Sequence, residues 1–192
     1  MRLYRLAADQ GYDTAQSILG VMYSNGTGVP QDHTEAARLY RLAADQGDAK
    51  AQSNLGIMYE DGIGVPQDHT EAVRLYQLAA DQGNSYAQCN LAVMYKNGTG
   101  VPQDHTEEVR LFQLAADEGF QPARDALGRL TAMYPAGTQV RITGHVEPLA
   151  RLNGMVGTAV QPIKPLVTGR IAVQIDGQTK SVSLSWANVQ HV

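Results

Sequence analysis

The octapeptide GVPQDHTE occupies residues 28–35, 64–71 and 100–107, unchanged in all three copies. Each copy sets an acid, a histidine, a threonine and a second acid side by side. Such a cluster is either a catalytic or metal-binding cassette or the corner of a repeating scaffold. A second string decides between them. LAADQG runs from Leu6, Leu42 and Leu78, returns as LAADEG from Leu114, and keeps the same step of 36 residues. A period of that length marks a solenoid of stacked supersecondary units. Three full units follow, 12–47, 48–83 and 84–119.

Each unit reads as two helices. AQSILGVMY places Ala15, Leu19, Met22 and Tyr23 on one stripe at helical spacing. NGTGVP then ends the helix, with Asn25 and Gly26 suited to a left-handed cap and Pro30 barring early re-entry. The second helix carries Ala36, Leu39, Tyr40 and Ala43 as its buried stripe and stops at Gly47. Asp32 stands just before this helix, where its carboxylate accepts from first-turn amides. Glu35, three residues on, completes a capping-box pattern and favours the positive end of the helix dipole. Asp68 with Glu71 and Asp104 with Glu107 repeat the arrangement.

A metal-binding ladder of His33, His69 and His105 is the competing reading. Packed helices lie about 8–10 Å apart, whereas zinc holds its ligands at about 2 Å. Histidines one repeat apart do not converge on one ion, and no serine or cysteine beside them offers a nucleophile. The octapeptide therefore reads as a corner, and no catalytic residue, metal ligand or cofactor is expected.

The units share the pattern A-x-x-x-L-G-x-M-Y-x-x-G-x-G-V-x-x-D followed by an alanine-rich helix ending in A-A-x-x-G. In the first unit it falls on Ala15, Leu19, Gly20, Met22, Tyr23, Gly26, Gly28, Val29 and Asp32, then Ala43, Ala44 and Gly47. The second and third units match, except that Ala92 replaces the glycine after Leu91. This resembles the Sel-one-like repeat family, relatives of the tetratricopeptide repeats, over residues 1–130. The resemblance implies a non-enzymatic adaptor or assembly role. Met1 aligns with Ala37, so the chain opens midway along a second helix, an expectation of further repeats upstream. FQPARDALGRL, 120–130, supplies a final first helix with Ala123, Leu127 and Gly128 in place.

Comparison of the internal copies shows where the units differ. Tyr12 becomes Asp48 and Asn84, Thr14 becomes Lys50 and Tyr86, Ile18 becomes Asn54 and Asn90, and Ser24 becomes Glu60 and Lys96. Drifting positions are expected to be free of packing duty. At 100° per residue, positions 14, 17, 21 and 24 lie opposite the core stripe. By analogy with tetratricopeptide arrays, that face would line a concave groove. It comprises Thr14, Ser17, Val21 and Ser24, then Lys50, Ser53, Ile57 and Glu60, then Tyr86, Cys89, Val93 and Lys96, with Asp125 and Arg129 beyond. Recurring Val21, Ile57 and Val93 suit either the floor of a peptide groove or packing between repeats. Ile57, Tyr86 and Val93 are the candidate anchors.

After residue 134 helical periodicity stops and β-rich runs appear: TQVRITG, GMVGTAVQ, RIAVQI and SVSLSW. Val140 with Ile142, and Ile171 with Val173 and Ile175, alternate as strands do, and DGQTK from Asp176 signals a hairpin. The segment resembles a Src-homology-3-type small barrel with KOW-type turns. The matching residues are Gly137, Val140 and Gly144, then Leu152, Asn153, Gly154, Gly157 and Val160, then Gly169, Arg170 and Asn188. Trp186 is the only aromatic after Tyr134, so the aromatic row that holds proline helices is missing. The KOW likeness raises RNA binding as a second reading. Arg141, Arg151, Lys164, Arg170 and Lys180 would touch phosphates, but five scattered cations without a stacking row argue against it.

Composition agrees with two units. Residues 1–134 hold 10 Lys+Arg against 17 Asp+Glu, and residues 135–192 hold 5 against 2. A hydrophobic content of 43% is globular, no apolar run is long enough for a membrane span, and the arginine-interrupted start is not a signal peptide. The single cysteine, Cys89, excludes an internal disulfide framework and makes the cytoplasm the default compartment. The expected architecture is an α-helical solenoid, 1–134 (repeats 12–47, 48–83 and 84–119, terminal helix 120–134), followed by a small all-β barrel, 135–192. The expected partner is a protein or peptide.

Overall fold

The computed structural model of the chain describes residues 2–133 and, beyond them, 139–142, 156–159, 170–175, 181–185 and 189–191. Its elements divide between two compact units, Met1–Pro102 and Gln103–Val192. The first holds α1 (Arg2–Asp9), α2 (Asp13–Asn25), α3 (His33–Asp45), α4 (Ala49–Asp61), α5 (His69–Asp81) and α6 (Ser85–Asn97). The second holds α7 (His105–Asp117) and α8 (Gln121–Met133), then β1 (Gln139–Ile142), β2 (Val156–Ala159), β3 (Arg170–Ile175), β4 (Ser181–Ser185) and β5 (Val189–His191). Among the described residues no helix is long and apolar enough to cross a membrane.

In the first unit α2 packs on α3 and α4 on α5, and successive pairs join through α3 with α4 and α5 with α6. The core is built largely of alanine. Ala36, Ala43, Ala51, Ala72, Ala79 and Ala87 are fully buried and let the helix backbones approach, while Leu39, Leu55 and Leu75 fill the gaps between them. One glycine per pair has a specific steric task. A methyl on Gly20 would lie 2.6 Å from Tyr40 Cδ1, and one on Gly56 would lie 2.7 Å from Tyr76 Cε1. Each glycine thus makes room for the ring of the following helix.

The corner answers the question raised by the octapeptide. α2 ends on Gly26 in the left-handed region, φ 69°, whose N–H donates to the Met22 carbonyl. Thr27 N–H donates to the same carbonyl at 2.9 Å, Asp32 N–H to Tyr23 at 2.9 Å, and the Gln31 side chain to Ser24 at 2.8 Å. Three carbonyls that a helix end leaves orphaned are therefore satisfied. Asp32 Oδ1 accepts from Glu35 N–H at 3.0 Å, and Asp68 and Asp104 accept from the amides of Thr70 with Glu71 and Thr106 with Glu107. The reciprocal arm of the expected capping box does not form at Asp32 and Asp68. Asp32 and Asp68 N–H already donate to Tyr23 and Tyr59, so the Glu35 and Glu71 carboxylates pair with Arg38 and Arg74 instead. Glu107 likewise pairs with Arg110.

The octapeptide also sets repeat against repeat. A side chain at Gly64 would overlap the His33 carbonyl, and one at Gly100 the His69 carbonyl. Backbone of one corner thus presses on the first residue of the preceding second helix. Among the described residues no group of three or more His, Cys, Asp or Glu is placed to hold a metal ion.

In the second unit α7 and α8 form a helix pair, and the strands form a five-stranded antiparallel sheet in the order β4-β3-β2-β1-β5. β3 and β4 pair from Arg170↔Ser185 to Gln174↔Ser181. That is the hairpin DGQTK signals, although residues 176–180 themselves lie outside the described residues. β5 has no counterpart among the sequence-derived strands, because three residues are too few to show alternation. Trp186, Arg151, Lys164, Lys180 and the turn residues Gly137, Gly144, Leu152, Asn153, Gly154, Val160, Gly169 and Asn188 also lie outside the described residues.

Candidate functional site

The positions singled out on the first helices divide in the structure. Val21 on α2, Ile57 on α4 and Val93 on α6 are 39%, 38% and 39% exposed, so three β-branched side chains recur half in water at one place in the repeat. Thr14, Lys50, Tyr86 and Lys96 are exposed on the same helices, and Arg129 is exposed on α8 in the second unit. Ser17 and Ser53, expected on the face, are buried beneath it. Ser17 Oγ donates to Asp48 Oδ1 at 3.3 Å, so this position serves the junction between repeats.

Two clefts of about 270 Å³ each open between neighbouring first helices. One, between α2 and α4, has Val21, Ile57, Met58 and Ile63 among its walls. The other, between α4 and α6, is walled by Ile57 and Tyr86 with Lys50 and Asn84. Ile57 and Asn54 line both, so the clefts adjoin across α4.

Drift between copies does not always mean freedom. Asp48 and Asn84 cap α4 and α6, accepting from Ala51 N–H at 2.6 Å and Ala87 N–H at 3.0 Å, whereas Tyr12 makes no side-chain cap bond. Glu60 Oε2 accepts from the buried Tyr76 hydroxyl at 2.6 Å, which ties this face residue to the core. Burial, the Glu60 hydrogen bond and the Glu60 charge hold the Tyr76 hydroxyl far above the usual phenol range. Burial pushes Tyr40 up to about 12, with a hydrogen bond from Ser24 acting the other way. Cys89 is half-buried on α6, and burial pushes its thiol up to about 11.

Three buried glutamines are absent from the residues singled out in sequence. Gln16, Gln52 and Gln88 follow the alanine at the third position of each first helix and donate to Ala8, Ala44 and Ala80 carbonyls at 3.3, 3.2 and 3.3 Å. Gln46 and Gln82 in turn donate to Gln16 and Gln52 Oε1 at 2.7 and 2.8 Å. In the second unit Arg124 takes the same place and donates to Ala116 at 3.2 Å. These side chains bond the C-terminal carbonyls of one repeat from inside the next. Their signal was their identity in all three copies. Glu108 is a second omission. It is buried where copies one and two carry Ala36 and Ala72, and its carboxylate meets His105 Nδ1 at 2.7 Å.

Antiparallel helix pairs stacked at a 36-residue period, turned by one glycine corner, define a helical-repeat solenoid. The chain belongs to the Sel1 repeat family, whose model matches residues 1–12, 14–48, 49–84 and 85–120. It is similar to c5321, a protective antigen present in uropathogenic Escherichia coli strains displaying an SLR fold. Identity there is 39% and the TM-score 0.66, over 68% of this chain and 28% of that one. It is also similar to a Sel1 repeat protein from Oxalobacter formigenes, with 35% identity and a TM-score of 0.58, over 59% of this chain and 45% of that one. The chain spans less than half the length of either solved protein. No curated protein matches it. Sel1 repeat proteins are generally protein-interaction scaffolds.

Proposed function

We propose that this protein is a non-enzymatic interaction scaffold that holds a peptide or a partner protein on the first-helix face, with Ile57, Tyr86 and Val93 as anchors. The observation that carries this reading is the pair of adjoining clefts that share Ile57, one of them walled by Tyr86; Val93, which lines neither, joins them as the equally exposed counterpart of Ile57 on α6. Apolar floors between successive helices, rimmed by exposed Lys50 and Tyr86, give a partner both burial and orientation. The repeat array extends through residue 134, and the C-terminal sheet closes as a Src-homology-3-like barrel of residues 135–192. Its meander, with β5 returning to the free edge of β1, supports that closure.

The test is affinity capture from source lysate, with and without nuclease, comparing wild type with an Ile57→Glu/Val93→Glu variant whose circular dichroism is unchanged. Both side chains are already in contact with water, so the variant is expected to fold. Protein partners held by wild type and lost by the variant support the groove. Partners retained by both refute it, and recovery that vanishes only with nuclease moves the function to the barrel.

A further inference from the structure

We infer that the groove takes an acidic, apolar stretch of a partner protein in an extended conformation: two apolar side chains three residues apart, with an aspartate or glutamate beside the one seated between α4 and α6. This rests on the groove reading above and names its ligand chemistry. The charge argument comes first. Among the described residues, Lys50 is the only lysine, arginine or carboxylate lining either cleft, and it makes no ion pair. The carboxylates closest in sequence on this face are already engaged. Asp48 accepts from Ala51 N–H and Ser17 Oγ, and Glu60 from Tyr76. Lys50 therefore stands in the cleft between α4 and α6 without an ion-pair partner. A basic ligand would meet Lys50 unfavourably, whereas an acid would complete a charge-assisted hydrogen bond.

Asn54 adds a polar contact between the two clefts. It lines both, and its side chain makes no hydrogen bond among the described residues. One side-chain amide offers a donor and an acceptor together, which matches the backbone of a peptide crossing α4. Spacing selects the conformation. The clefts lie one helix apart, and neighbouring helix axes are separated by about 8–10 Å. A polyproline II segment advances about 9 Å in three residues and returns its side chain to the same side. Apolar residues at i and i+3 of such a segment reach both clefts, with Ile57 between them.

The test starts from a phage-displayed library of random dodecapeptides selected on the full chain. Fluorescence anisotropy of the enriched peptides then compares wild type, Lys50→Glu and Ile57→Asp. The expected enriched sequences carry apolar residues three apart with an adjacent acid. Lys50→Glu should weaken them about tenfold, close to 1.4 kcal/mol, and exchanging the peptide's acid for lysine should recover most of that loss. Peptides sensitive to Ile57→Asp but indifferent to Lys50→Glu overturn the acidic ligand and leave the groove standing. Anchors in an i, i+4, i+7 pattern overturn the extended conformation in favour of a bound helix. No enrichment, or peptides indifferent to both variants, overturns the ligand and the groove together.

Discussion

Gly56→Ala should destabilise the protein, against the ordinary effect of that exchange within a helix. Alanine in place of glycine there normally gains about 0.5–1 kcal/mol. Here the added methyl would lie 2.7 Å from Tyr76 Cε1 and 2.8 Å from Cδ1. The ring has little room to yield, because Tyr76 is fully buried and its hydroxyl is held by Glu60 at 2.6 Å. Overpacking of a well-filled core costs about 1–3 kcal/mol, so the net expectation is a loss of about 1–2 kcal/mol. The third copy carries Ala92 and Phe112 at the corresponding sequence positions, an alanine together with a ring that lacks the hydroxyl. Tyr76→Phe alone should cost about 1.5–2 kcal/mol, the value of a hydrogen bond to a charged group. The double variant should lose less than the sum of the two by about 1 kcal/mol, since the released ring is able to shift. Urea denaturation followed by circular dichroism measures all four corners of the cycle. A Gly56→Ala protein as stable as wild type refutes the steric argument, and strict additivity refutes the anchored-ring explanation.

Further expectations concern the corner and the thiol. Asp68→Ala removes the acceptor for Thr70 and Glu71 N–H, both at 3.0 Å, and should cost about 1 kcal/mol, read as a fall of about 2–4 °C in Tm by scanning calorimetry. Gly28→Ala and Gly64→Ala both place alanine at φ +71°, a backbone cost of about 1–2 kcal/mol. Gly64→Ala alone also strikes the His33 carbonyl, so its chemical-denaturation midpoint should fall clearly below that of Gly28→Ala. Equal midpoints would remove the contact between corners as the reason for that glycine. Burial raises the Cys89 thiol from 9.0 to about 11, which leaves about one hundredth of the usual thiolate at pH 7–8. Iodoacetamide labelling followed by mass spectrometry should therefore be slow at pH 8 and accelerate only as pH rises toward 11. Rapid labelling at pH 8 contradicts that reading.

Much of this fold was legible in the chain because its determinants are local. A glycine that must adopt positive φ, an aspartate that caps the next helix and a stripe at helical spacing announce themselves within a few residues, and each was written three times. The face of the first helices was legible in part. Val21, Ile57 and Val93 do stand at the water boundary, but Ser17 and Ser53, one turn before Val21 and Ile57 on the same face, are buried. A helical wheel describes one helix and carries no information about what packs above it. Variation between copies misled at Asp48, Asn84 and Glu60, since different side chains perform a cap or a core tie in different repeats. The buried glutamines were hidden by their polarity, which reads as solvent exposure until the facing carbonyl is known.

The repeat length, helix-pair unit, corner chemistry and β-rich character of the last segment belong to the sequence by itself. They follow from backbone conformations and short-range hydrogen bonds that each stretch specifies for itself. Only the tertiary structure decided which polar side chains go inside. Gln52 is buried because the Ala44 carbonyl ends a helix directly opposite it, and Glu60 is tied down because Tyr76 rises from the following helix to meet it. It also decided that Ile57 becomes the shared wall of two clefts, a property of the gaps on either side of α4 rather than of isoleucine. Such features depend on the distance between segments far apart in the chain, and packing sets that distance.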